Sequence, residues 1–412
     1  MVKQFLLGFL LLVSCVKANA QTNQLEYYVQ NALQNSPLLK DYQNQVALNK
    51  YDSLLIRAAF KPQVSGNSIN SYAPTIRGWG YDGAISNGGG FATLVGVSQA
   101  LPNKKNLQSQ FENITLQNQS ISNTSRLTEQ DLKRSIIAQY VSAEGSLEQL
   151  NVNKEISGLL DREEIILKKL TQANVYRQAD YLAFLVTLQQ QDLLVKQLSI
   201  QYKNDFNSLK YLCGITDTAA VLLQSPDIRL KALPGIAQSI FFKQFTIDSL
   251  KLVNNKKLAD IIYRPRVNLY ADAGFNSTLA YRAYKNLGTS FGLSLTIPIY
   301  DGQQKKLQYS KIDIEENTRG NYQIFFVSQY QQQITQLNQQ LTATEDLIND
   351  ISKQLKYTQS LIEVNGKLLQ AGEVKVTDYI LAINNYINAR NLITQNNISR
   401  LQIINQLNYW NR

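Results

Sequence analysis

Histidine is absent from this 412-residue chain. That excludes imidazole acid–base chemistry, Ser-His-Asp triads and histidine-held metals. Only two cysteines occur, Cys15 and Cys213, so CxxC zinc and redox sites are excluded as well. Proline is scarce at 8 and glycine at 20, which leaves long stretches with nothing to break a helix. Charge is thin, at 17% of residues, and no run of five Lys/Arg marks a nucleic-acid patch. No apolar run reaches the ~20 residues of a spanning helix. A P-loop is missing too, so the chain is not expected to supply energy from a nucleotide itself, and no cofactor is expected. A hydrophobic share of 44% is too high for a disordered chain and too low for a polytopic helical membrane protein.

The first residues read as a targeting segment. Met1 to Gln4 is short and basic, Phe5 to Val13 is apolar, and Ala18-Asn19-Ala20 is a small-x-small pattern. A secretory signal peptide over 1–20, cut between Ala20 and Gln21, is expected. Leu12-Val13-Ser14-Cys15 offers a lipoprotein site as the other reading, with serine a poor fit before the cysteine. Removal of Lys3 and Lys17 leaves 39 basic against 31 acidic residues. These are scattered as on a solvated surface, and no nucleic-acid partner is expected. Cys213 follows Tyr211-Leu212 and reads as a buried small hydrophobe.

What the chain does have is a long internal repeat. Gln172-Ala173-Asn174-Val175-Tyr176-Arg177-Gln178-Ala179-Asp180-Tyr181-Leu182 aligns with Gln370-Ala371-Gly372-Glu373-Val374-Lys375-Val376-Thr377-Asp378-Tyr379-Ile380. Phe60-Lys61-Pro62-Gln63-Val64 aligns with Tyr263-Arg264-Pro265-Arg266-Val267. Solenoid periods run ~20–50 residues. This one is far longer and indicates two domain-sized halves, 21–224 and 240–412, with a connector over 225–239. Each half reads helix, strand, strand, long helix, long helix. Strands are expected at about 62–74 and 91–101, then at about 265–275 and 289–299.

The long helices carry coiled-coil spacing. Ile334, Leu337, Leu341, Thr344, Ile348, Ile351, Leu355, Thr358 and Ile362 alternate steps of three and four, as do most steps from Leu132 to Leu150. At ~1.5 Å per residue, the proline-free stretch from Gln303 to Leu369 would extend roughly 100 Å. It is expected to run out and return after a left-handed turn at Ala371-Gly372, with Ala173-Asn174 at the matching place. The strands alternate differently. Val267 and Leu269, then Phe291, Leu293, Leu295 and Ile297, share one face with small or polar residues between them. Their length fits the ~9–11 residues of a transmembrane β-strand, and aromatics flank them. A soluble sandwich with one buried face fits the alternation equally well. Four strands cannot close a membrane barrel, which needs ~8 or more, and an open edge in lipid is excluded. If the strands are in lipid, several chains must share one barrel.

Leu293-Ser294-Leu295-Thr296-Ile297-Pro298-Ile299-Tyr300-Asp301-Gly302 resembles the strand-end motif of the TolC-type outer-membrane efflux proteins. Ala371-Gly372 with Asp378-Tyr379 and Ala389-Arg390-Asn391-Leu392 resembles that family's second hairpin tip and returning helix, and Leu209 to Gly214 the end of its first half. The resemblance implies a mainly α fold with a small transmembrane β part. It implies a homotrimer whose twelve-stranded β-barrel lies in outer-membrane lipid and continues as a periplasmic α-helical coiled-coil barrel. It implies a periplasmic adaptor and an inner-membrane pump of RND or ABC type, docking at tips formed by Ala173, Asn174 and Val175 and by Ala371, Gly372 and Glu373. Asp378, with its first-half copy Asp180, matches an acidic position that rings the entrance in some members. A second acidic position is Leu381 here, so one carboxylate ring is expected instead of two.

The function expected from this is a passive duct. The competing reading is a secreted coiled-coil structural or adhesive protein without a pore. An enzyme would need a site, and Glu163-Glu164 and Glu315-Glu316 are the candidate carboxylate pairs. Both are expected to be surface charge on solvated helices.

Overall fold

The computed structural model describes residues 24–81, 89–217, 222–232, 235–236, 239–277 and 283–411. The expected signal segment, with Cys15 and the Ala20–Gln21 bond, lies outside them. In chain order the elements are α1 (Leu25–Asn35), α2 (Pro37–Ala59), β1 (Gln63–Tyr72), β2 (Gly89–Ala100), α3 (Lys104–Gln172), α4 (Gln178–Cys213), α5 (Ile240–Ile262), β3 (Arg266–Ser277), β4 (Leu287–Thr296), α6 (Gln304–Ala371) and α7 (Val376–Trp410). The opening helix of the first half is thus two helices, broken at Ser36. Pro37 disfavours a helical residue before it, and Ser36 caps the next helix by accepting the Leu39 N–H at 3.4 Å.

The chain divides into two compact units that do not follow the sequence halves. One comprises Met1–Lys40, Ser125–Ile240 and Phe325–Arg412, the other Asp41–Thr124 and Phe241–Ile324. The first unit is helical. One core joins Tyr28 and Ala32 of α1 to Ile136, Tyr140 and Ala143 of α3 and to Phe206, Leu209 and Cys213 of α4. Cys213 is a buried free thiol there, pushed up to about 12 by burial. The Tyr140 hydroxyl donates to Gln224 O at 2.7 Å, which fixes the connector. Asn408 of α7 and Asn411 just after it fix its continuation: Asn408 Oδ1 accepts the Lys231 N–H at 2.8 Å, and Asn411 Nδ2 donates to Lys231 O at 2.7 Å. Irregular structure begins at Ile215, ten residues before the connector expected from the prolines, because Gly214 ends α4 at φ 66°. The heptad seam of α6 turns inward as its spacing requires, burying Leu337, Leu341, Ile351, Thr358 and Ile362. Gly145 of α3 lets Ile398 of α7 approach closely, since a Cβ there would stand 2.2 Å from Ile398 Cδ1.

The second unit holds the sheet. Its strands form one antiparallel meander, β1-β2-β3-β4. The strands match expectation to within three residues at each end. β4 stops at Thr296, short of the expected end, because Pro298 has no N–H for a ladder bond. Arg319 of α6 joins this unit's helices: it pairs with Glu316 at 2.7 Å and donates to Phe245 O of α5 at 3.4 Å.

Candidate functional site

Two places carry the candidate side chains: the sheet and the turns that join the long helices. In the sheet, the register puts Val64, Val97, Ala271 and Phe291 in one row across the four strands. Leu269 stands opposite Leu293, and Val267 opposite Leu295. Residues directly opposite share a face, so the expected apolar residues of β3 and β4 do lie together. Ile297 is exposed but falls one residue past the end of β4. Phe291 is 87% exposed, Leu293 60% and Leu295 54%. Every residue of β4 but Gly292 is exposed. The opposite face carries Ser65, Gly96, Asp272 and Ser290 in one row, and Ser290 Oγ donates to Asp272 at 2.8 Å. Tyr270 lays its ring over Gly292, where a Cβ would stand 2.5 Å from the hydroxyl. β1 and β4 each have one strand partner among the described residues, so one edge of each is open.

The turns are built alike. Asn174 takes φ 60° and Gly372 φ 76°, the left-handed conformation expected at both places. The Val175 N–H returns to Leu170 O at 2.9 Å, and the Glu373 N–H to Leu368 O at 2.9 Å. These six-to-one bonds close each helix in a Schellman turn and satisfy carbonyls that would otherwise lack donors. The two turns touch. The Tyr176 hydroxyl lies 2.9 Å from both Leu369 O and Val374 O, sharing its proton between them. A Cβ on Gly372 would stand 2.8 Å from Val175 Cγ1. Beneath them Leu160, Leu167, Phe184, Leu369, Tyr379 and Ile383 form a core.

The candidate gate residues separate here. Asp180 accepts the Arg177 N–H at 3.3 Å as the acidic member of a capping box, and so performs a local task at the start of α4. Asp378 occupies the matching place in α7, is exposed, and makes no such bond among the described residues. Counting six residues from Gly372 suggests nearly two helical turns, but Gly372–Lys375 are spent on the loop. Asp378 therefore stands in the first turn of α7, at the tip itself.

Glu163 departs from expectation. It is not solvated but 9% exposed, and its Oε2 has no hydrogen-bond partner. Burial raises its pKa above the usual carboxylate range, while Arg162 works against that. The neighbouring Tyr379 is also held upward, by burial first and by the Glu163 charge second. A signal for this was available, since Ile156, Leu160, Glu163 and Leu167 continue the four-three-four seam of α3. Glu164 accepts from the Tyr181 hydroxyl, and Glu316 is paired with Arg319. Among the described residues no cluster of three metal-ligating side chains forms.

Solved structures with the same arrangement exist. CusC, described by its transmembrane channel formation, superposes with a TM-score of 0.76 at 14% identity, covering 94% of this chain and 92% of that one. The outer membrane protein VceC of Vibrio cholerae superposes at 0.75 and 12% identity, covering 94% and 96%. This chain has the fold of the TolC-type outer-membrane channels. The open-state MtrE channel of Neisseria gonorrhoeae shares this TolC-type fold too, at 0.72 and 13% identity over 94% of this chain and 88% of that one. No family model matches the sequence, and no curated protein does. At such identities the likeness lies in the TolC-type backbone, and the residues above must carry the functional argument.

Proposed function

We propose that this chain is one protomer of a passive outer-membrane duct. The observation that carries the reading is the sheet: one apolar face left uncovered, and two open edges. Water does not tolerate such a face and lipid does not tolerate such edges. Three copies joined edge to edge give a closed twelve-stranded barrel, apolar outside and lined by Ser65, Gly96, Asp272 and Ser290 within. The long helices then continue as a tunnel through the periplasm. The matching left-handed turns support the reading of the chain as two copies of one unit. The tips would receive a periplasmic adaptor and an inner-membrane pump of RND or ABC type, which supplies the energy. Three copies of Asp378 would ring the entrance, with Asp180, which caps α4, as the second candidate. Such a protein conducts without catalysis.

The test is assembly and conduction. Detergent-extracted protein is expected to sediment as a trimer and to give discrete single-channel conductance in a planar bilayer. A water-soluble elongated monomer with no conductance would overturn the reading in favour of a secreted coiled-coil protein.

A further inference from the structure

One end of the sheet is cationic at all four places where strand meets helix. Lys61 precedes β1, Lys104 and Lys105 follow β2, Arg264 precedes β3, and Lys305 and Lys306 follow β4. The antiparallel register brings these four ends side by side, with Gln63 opposite Ser98, Ala100 opposite Asn268 and Arg266 opposite Thr296. Lys305 is neutralised by Asp260 at 2.7 Å. Lys61, Lys104, Lys105, Arg264 and Lys306 make no ion pair with a described residue. The nearby carboxylates are engaged elsewhere: Asp313 with Lys256, Glu112 with Lys257, and Asp301 with the N–H groups of Gln303 and Lys305.

Two further observations bear on these cations. The paired lysines occupy the starts of α3 and α6, where the helix dipole repels positive charge, and neither helix has an acid in its first turn. For Lys104, Lys105 and Lys306, which no carboxylate of the described residues pairs, this placement is unfavourable within the chain, and an anion from outside would relieve it. Apolar and aromatic side chains flank the same cations. Ile299 is 96% and Tyr300 84% exposed. Tyr263, Ile299, Tyr300, Lys305, Lys306 and Tyr309 line a cavity of about 560 Å³.

We propose that this end of the sheet is a binding surface for anionic phospholipid headgroups, of the phosphatidylglycerol kind, in the membrane leaflet nearest the helices. The inference rests on the lipid-facing reading of the sheet. Headgroup phosphates accept from the unpaired lysines, Tyr263 and Tyr300 sit at headgroup level, and the acyl chains run along the face that carries Leu269 and Leu293. A free phosphate would not explain cations spread over four junctions, nor their continuity with an apolar face.

The test uses the full chain reconstituted in phosphatidylcholine bilayers. The boundary preference for spin-labelled phosphatidylglycerol over spin-labelled phosphatidylcholine is read by electron paramagnetic resonance. The native protein is expected to prefer the anionic lipid severalfold, since one lysine near an anionic surface is worth up to roughly fivefold. High salt should reduce the preference. Replacing Lys61, Lys104, Lys105 and Lys306 together by Gln should bring it close to one, and replacing the same four by Arg should preserve it. A Gln variant with the native preference would overturn the proposal and leave the lipid-facing sheet standing. Absence of any motionally restricted lipid around the native protein would overturn both.

Discussion

Glu163 gives the sharpest test of how the helical tip is built. Its side chain stands on the seam of α3, next to Tyr379 of α7, with one carboxylate oxygen unpartnered. A buried acceptor left without a hydrogen bond costs about 1–3 kcal/mol. Glu163→Met removes that acceptor, keeps a good helix former of similar length and fills the same space. For a helical unit of this size each kcal/mol corresponds to ~2–4 °C, so a rise of ~2–12 °C in the melting temperature is expected at neutral pH. The sign with pH follows from the raised pKa. Between the ordinary glutamate value of 4.5 and the raised folded value, the folded chain keeps a proton that the unfolded chain has released. Native stability therefore falls as pH rises through that window and stays reduced above it. The advantage of Glu163→Met should be smallest below 4.5 and largest above the window. Thermal melting followed by circular dichroism in detergent, at several pH values, measures both effects. A variant that melts below the native protein at neutral pH, or whose difference does not grow with pH, would refute the account.

The other expectations concern the lipid face, the turns and the gate. An arginine at mid-membrane on a lipid face costs ~2–4 kcal/mol, so Leu295→Arg should block assembly in membranes while its neighbour Ser294→Arg on the other face assembles. Fractionation with a trimer gel decides this, and equal tolerance would place the strand outside lipid. Gly372→Val forces a branched side chain into a left-handed turn, at about 1–2 kcal/mol, and drives it against Val175. Export should drop with trimer yield unchanged, and normal export would separate this turn from docking. Asp378→Asn should relieve block of single-channel conductance by multivalent cations added on the tip side. Unchanged block would reject Asp378 as the gate carboxylate and send the test to Asp180.

Much of the backbone was legible because its signals are local. The three-four spacing of α3 and α6 needs only neighbours along one helix, and the residues of both seams are buried or half-buried where that spacing placed them. The tips were legible from single residues, since Gly and Asn tolerate the left-handed conformation that Gly372 and Asn174 adopt. Strand β1 was harder. Its apolar-side positions are Val64, Gly66, Ser68, Asn70 and Tyr72, which show little contrast with their neighbours, and only pairing with β2 fixes which face they share.

The contacts that make the tip one object were not legible, because each joins segments far apart in the chain. Tyr176 stands within the repeated motif, but nothing local says that its hydroxyl crosses to the carbonyls of Leu369 and Val374. The copies have diverged where they meet. Tyr176 aligns with Val374, and Asn174 aligns with Gly372, which has no side chain and so admits Val175. A chain of two identical halves could not make this joint, since it needs a donor on one turn and a bare backbone on the other. The departures from the repeat are therefore as informative as the repeat. Asp180 is committed to capping α4 while Asp378 is left exposed, so the same divergence gives one carboxylate a local task and its copy none within the described residues.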